Sequence, residues 1–95
     1  MRRKLEASYL SAAYSNFSKV KFAKRLNFSN SDFRYANLSG AKIKKGVDFT
    51  NVDFRNANFT GARISSRAIF KGANLSGATW VDGRKCADGS IGECL

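Results

Sequence analysis

From Leu26 to Asp82 a large apolar residue returns every five positions, and few folds accept that step. Phe28, Phe33, Leu38 and Ile43 are followed, after one extra residue, by Phe49, Phe54, Phe59 and Ile64. A second extra residue precedes Phe70, Leu75 and Trp80. Two places before most of them stands a small or aliphatic residue, as with Ala36, Ala41, Val47, Val52 and Ala57. An amphipathic helix wants apolar residues at i, i+3, i+4 and i+7, and a half-buried strand alternates by two; a step of five fits neither. It fits a short extended piece followed by a turn, each unit forming one side of a coil. Strand alternation then points the large residue and the small one before it inward, leaving three positions outside.

The extra residues count the sides. Arg25, Gly46 and Arg67 are the natural candidates, spaced 21 apart, which is four units of five plus one. An insertion made once per coil falls on the same corner each time, as a column of bulges. Four sides therefore close one coil, and stacked coils lie about 4.8 Å apart. Inside, the stacking aligns Phe28 with Phe49 and Phe70, Phe33 with Phe54 and Leu75, Phe17 with Leu38, Phe59 and Trp80, and Phe22 with Ile43 and Ile64. Core packing, with rings stacked along the axis, absorbs most of the aromatic residues. Outside, Asn16, Asn37 and Asn58 form a column, expected to act as an asparagine ladder between coils.

Units such as Ala36-Asn37-Leu38-Ser39-Gly40 and Ala73-Asn74-Leu75-Ser76-Gly77 are near copies. In tandem over residues 15–82 they resemble the pentapeptide repeat family. The resemblance implies an all-β chain folded as a right-handed quadrilateral parallel β-helix of about three to four coils. It says little about activity, because the family is functionally diverse. One specific implication is a DNA mimic that binds topoisomerases. Members of that kind are acidic rods, whereas this chain carries a net charge of +10.

Residues 1–14 are less regular and are expected to form an imperfect first coil or end cap, with Leu5 and Leu10 as centres and two residues added before Phe17. The basic start Met1-Arg2-Arg3-Lys4 runs into Leu5-Glu6-Ala7-Ser8, too polar for the apolar core of a signal peptide. No run of 18 apolar residues occurs, so no transmembrane helix is expected. Beyond Trp80 the repeat stops. Residues 83–95 hold glycine turns and both cysteines, and read as a C-terminal cap with Trp80 or Ile91 lying over the core. Cys86 and Cys94 enclose seven residues and can close a disulfide adding roughly 2–3 kcal/mol. The W-x-D-G-x-x-C ending, closed by S-x-G-x-C, also resembles the tails of some bacterial pentapeptide repeat proteins. A disulfide implies an oxidising compartment, periplasmic or secreted; reduced thiols would fit a cytoplasmic protein. A chain without a visible signal leaves three routes open: a longer natural protein, another export path, or thiols that stay reduced.

Seventeen Lys and Arg face seven Asp and Glu, a balance that points to anionic partners or to simple solubility. The coil phase gathers Lys21, Lys24, Arg25, Lys42, Lys44, Lys45, Arg63 and Arg67 on one side, with no acid among them. Like charges on adjacent strands cost a few tenths of a kcal/mol per pair. No aromatic residue interleaves with them, so stacking of single-stranded bases is not expected, and nucleic acid would be met through its phosphates. Two Cys without any His do not complete a structural zinc site. With no His to serve as base, no phosphate-binding glycine loop and a filled core, neither catalysis, a cofactor nor a small-molecule substrate is expected. The expectation is a rigid interaction module that meets a protein or polyanion through its basic side, with self-association through the solenoid ends left open.

Overall fold

Positive-φ corners turn this chain into a solenoid. The computed structural model describes residues 9–95. At a regular corner the carbonyl of the central residue accepts from the N–H three residues on, as from Ala36 to Phe33 (3.1 Å) and from Ala57 to Phe54 (3.0 Å). The third residue of the turn takes positive φ, as a type II turn demands: Asn30 at 62°, Asn51 at 57°, Gly40 at 68°, Gly61 at 72°. Asn and Gly accept this conformation readily. Tyr14, Lys19, Arg25 and Tyr35 hold it too, at 60–63°, for roughly 1 kcal/mol each.

Successive coils pair in parallel with a 21-residue offset, in four columns. One runs Ser11, Asp32, Asp53, Asn74; the next Asn16, Asn37, Asn58, Thr79; a third Lys21, Lys42, Arg63; the last Asn27, Asp48, Ile69. Only the third is long enough for regular strands: β1 (Lys21–Phe22), β2 (Lys42–Ile43) and β3 (Arg63–Ile64), in the order β1-β2-β3. No helix occurs among the described residues.

That exception locates the added residue. On the other three sides the corner starts at the central residue itself. Here it starts one residue later, at Ala23 (bonded to Leu26 N–H, 3.4 Å), Lys44 (to Val47 N–H, 3.3 Å) and Ser65 (to Ala68 N–H, 3.0 Å). The insertion is therefore Ala23, Lys44 and Ser65, on the flat of the side, and not Arg25, Gly46 and Arg67 at the corner. The 21-residue phase is the same either way. The corner itself keeps its usual form, with Arg25 at 63° and Gly46 at 77°; Arg67 alone departs from positive φ.

The N-terminal register also differs from expectation. Ser11 bridges Asp32, and Ala12 N–H bonds Asp32 O (2.7 Å), so Ala12 holds the central place that Phe33 holds one coil on. It is 3% exposed, whereas Leu10 is 38% exposed. Phe17 follows Ala12 by the regular five, with nothing added. Side-chain size misled the reading: the larger Leu10 sits at the small position. Leu5 and the basic start lie outside the described residues.

The core is the file of inward residues, with Val47, Phe49, Val52, Phe54, Ala57 and Phe59 fully buried. Its rings do not stack flat. Phe28–Phe49 is nearly parallel (19°), but Phe33–Phe54 (50°) and Phe59–Trp80 (56°) are tilted, and neighbours within a coil meet edge to face, as Phe49–Phe54 at 73°. Two causes combine: a coil spacing of about 4.8 Å exceeds ring contact distance, and the ring quadrupole favours edge-to-face contact.

At the C-terminus the chain reverses and pairs antiparallel with the last coil, through Thr79–Lys85 and Asn74–Ile91. Leu75 N–H bonds Ser90 O (2.7 Å), and Gly77 N–H bonds Cys86 O (3.0 Å). The open edge of the last coil is thus paired on two of its sides, which blocks further strand addition there. Cys86 and Cys94 are joined in a disulfide. Cys86 (1% exposed) and Ser90 (0%) lie over the core end. Ile91, expected there, is outward and half exposed, because its bridge to Asn74 places it on an outer position. Trp80 belongs to the column it continues, against Phe59.

Candidate functional site: a cationic side

Capping chemistry decides where charge can stand on this solenoid. On three sides the outward residue before the central one is mostly Asn or Asp, and its side-chain oxygen accepts from the backbone N–H two residues on. Asn37 takes Ser39 N–H (3.0 Å), Asn58 takes Thr60 N–H (2.9 Å), Asp48 takes Thr50 N–H (2.8 Å) and Asp53 takes Arg55 N–H (3.1 Å). These bonds close each residue's own turn. The expected ladder of asparagines between coils is replaced by a column of local caps.

The outward positions of β1–β3 are exempt, although at the added place Ser65 Oγ accepts the Arg67 N–H (3.1 Å). The added residue of this side carries the ladder one step further, so Lys44 N–H bonds Phe22 O (3.4 Å) and Ser65 N–H bonds Ile43 O (2.9 Å) on the preceding coil. With those donors satisfied by backbone, the outward position needs no acceptor, and Lys21, Lys42 and Arg63 occupy it in direct register. Behind them Ala41 and Val47 are fully buried and Ile43 is 2% exposed.

All eight basic residues picked out by phase are exposed and share this side and its following corner. Lys44 lies on the flat, and Lys24 and Lys45 follow as the second residues of the turns that start at Ala23 and Lys44. Arg25 and Arg67 flank Gly46 at the corner, where Arg25 N–H bonds Lys45 O (3.2 Å) and Gly46 N–H bonds Arg67 O (3.0 Å). The close approach of Arg25 explains that glycine: a Cβ on Gly46 would lie 2.8 Å from Arg25 Cγ. Lys19 was missed. It stands exposed at the corner leading into the side, above Gly40. Its place five residues before Lys24 was legible, but the face assignment stopped at the corner.

Charge is handled differently elsewhere. On the Phe33 side Arg34 pairs with Asp32 (2.8 Å) and reaches Asp53 (3.9 Å), which pairs with Arg55 (2.7 Å). The Arg34 hydrogen bonds hold the Asp32 carboxyl below its ordinary value, and the carboxylates raise both guanidinium groups in turn. Arg84 pairs with Asp82 (3.4 Å). Among the described residues, none of the eight bases on the β1–β3 side makes an ion pair. Tyr14 and Tyr35, both exposed, stack at 4.9 Å and 4° on the Phe33 side, away from the bases. No cluster of metal-binding side chains occurs among the described residues.

A four-sided stack of capped five-residue turns around a closed apolar file defines a solenoid repeat protein. The family model "Pentapeptide repeats (9 copies)" matches residues 13–53 and 35–83. The chain belongs to the pentapeptide repeat family. It is similar to a pentapeptide repeat protein of the Arabidopsis thaliana thylakoid lumen, known from its crystal structure, with 25% identity over 86% of this chain and 69% of that one, at a TM-score of 0.47. Comparison with curated protein sequences found no match.

Proposed function

We propose that this protein is a non-catalytic, rigid interaction module that presents its basic side to a macromolecular partner. One observation carries the reading: eight exposed bases share one side and its following corner with no acid among them, Lys21, Lys42 and Arg63 in direct register. Among the described residues none of the eight is ion-paired, whereas elsewhere Arg34, Arg55 and Arg84 are paired and only Lys19 at the adjoining corner and the scattered Lys71 and Lys85 are not. The buried core behind them fixes their spacing, so docking needs no ordering of backbone. A polyanion-binding role is the second reading, favoured by the same lack of acids; nucleic acid, anionic lipid and acidic glycan share that chemistry. Imitation of DNA is disfavoured by the sign of the charge.

Reversing Lys42, Lys44, Lys45 and Arg63 to Glu tests the reading. The native protein should be retained by immobilised heparin and eluted by salt, and the reversed protein, checked for unchanged circular dichroism, should pass through. Elution of both at the same salt concentration would refute it. For location, the Cys86–Cys94 bond favours an oxidising, extracytoplasmic compartment. Two free thiols in protein purified from its source would remove that support.

A further inference from the structure

We propose that the β1–β3 side is a peripheral docking surface for an anionic lipid bilayer, with the coil axis parallel to the membrane plane. This rests on reading the basic side as a docking surface, and adds the identity of what docks. Shape is the first argument. Lys21, Lys42 and Arg63 stand in register on one flat side, with Lys44 beside them, and Lys24, Arg25, Lys45 and Arg67 line the edge where the next corner turns. A flat side with a charged edge meets a bilayer along the whole row of cations and meets a convex duplex only along a strip. The buried Ala41, Ile43 and Val47 behind the strands oppose any bending of that side towards a curved partner.

Chemistry is the second. Five of the eight are Lys, compact point charges suited to diffuse attraction more than to bidentate recognition. Nothing on this side can enter a groove or stack on a base, since it offers neither a protruding helix nor an aromatic ring. Clusters of four to eight Lys or Arg are the size that anionic lipid surfaces hold. Among the described residues, Val20, beside Lys21 and 38% exposed, is the one large exposed apolar residue on this side, while Tyr9, Tyr14, Tyr35, Ile69, Ile91 and Leu95 lie off it. A single partly exposed valine offers little to insert, so docking is mainly electrostatic and reversible by salt.

Co-sedimentation of the full chain with vesicles of phosphatidylcholine containing about 30% phosphatidylserine tests this. Partitioning onto these vesicles, absent on pure phosphatidylcholine and lost between about 50 and 300 mM salt, supports the proposal. Each cation removed should weaken partitioning about fivefold. Lys42→Gln/Lys45→Gln should therefore lose about twenty-five-fold, and Lys71→Gln/Lys85→Gln, with the same net charge, less than about threefold. Equal losses in the two double variants, or equal binding to neutral vesicles, would overturn it. Tighter binding to a short DNA duplex than to the vesicles, weakened by Lys42→Gln/Lys45→Gln, overturns the lipid assignment and leaves the docking surface standing. Binding to neither vesicle, duplex nor heparin sinks both.

Discussion

Replacing Asn37 by Ala should cost this protein far more than replacing Lys42 by Ala, although both side chains stand at the same outward place on adjacent sides. Asn37 Oδ1 accepts the Ser39 N–H (3.0 Å) and the Ser39 hydroxyl (2.7 Å), in a half-buried setting. Truncation leaves a backbone donor without its partner and loses both bonds, for about 1–2 kcal/mol. Lys42 caps nothing, because the N–H two residues on, that of Lys44, is held by Phe22 O. Its removal relieves repulsion from Lys21 and Arg63, so Lys42→Ala should lie within about 0.5 kcal/mol of the native protein and on the stabilising side at low salt. In urea unfolding, with a slope of about 1–2 kcal/mol/M, Asn37→Ala should lower the midpoint by roughly 1 M and Lys42→Ala should hardly move it. Asn37→Asp should restore most of the loss, since Asp48 and Asp53 cap their own turns in the same way. Equal midpoints for Asn37→Ala and Lys42→Ala would refute the view that the added residue frees the outward positions of β1–β3 from capping.

Gly46→Ala should destabilise by about 1–2 kcal/mol, from its φ of 77° and the approach of Arg25 Cγ. In an Arg25→Gly background the cost should fall, and a double-mutant cycle by urea unfolding reads the difference. The lowered Asp32 value means the Arg34 pair contributes stability above the ordinary carboxylate value of 3.8, lost as pH falls through the folded-state value. Arg34→Gln should flatten the fall of the urea midpoint below about pH 4; the effect is small, with the side chains 43% and 34% exposed. Reducing the disulfide, which spans a sequence separation of 8, should cost about 2.5 kcal/mol and lower the melting temperature by about 10–20 °C. A melt unchanged by reductant would show that the cap is held by its hydrogen bonds alone.

The architecture was legible because volume and spacing carry it. Phe28, Phe49 and Phe70 announce one column, and a 21-residue offset announces four sides. What escaped is what hydrogen bonds decide. Counting spots that one residue is added per coil; only the acceptor of Val47 N–H shows that it is Lys44 and not Gly46. Asn37 and Asn58 look like rungs of a ladder until their partners prove to be Ser39 and Thr60 of the same turn. Leu10 and Ala12 were exchanged for a related reason: at the end of a solenoid, register outranks size. The basic side was found from phase alone, while its limit at Lys19 depended on where the corner turns.

Those hydrogen bonds bear on whether the basic side was selected or merely permitted. Capping reserves an outward position for Asn or Asp on three sides, which places Asp32, Asp48 and Asp53 there and keeps acids off the fourth. Permission explains the missing acids on the fourth side; it does not explain the bases. The side offers twelve outward positions in three coils, from Lys21 to Arg25, Lys42 to Gly46 and Arg63 to Arg67 without the central residues, and eight are Lys or Arg. At the chain's own frequency of 17 in 95, twelve positions would hold about two. Uncharged residues such as Ala23, Ser65 and Ser66 fit the remaining places, so the backbone does not require a cation. Repulsion between Lys21, Lys42 and Arg63 opposes their alignment. Arg25 adds the cost of a positive-φ corner where Gly46, one coil on, shows that glycine fits. A surplus of cations held against both costs supports the proposed docking surface for an anion, since solubility alone does not call for their alignment on one side.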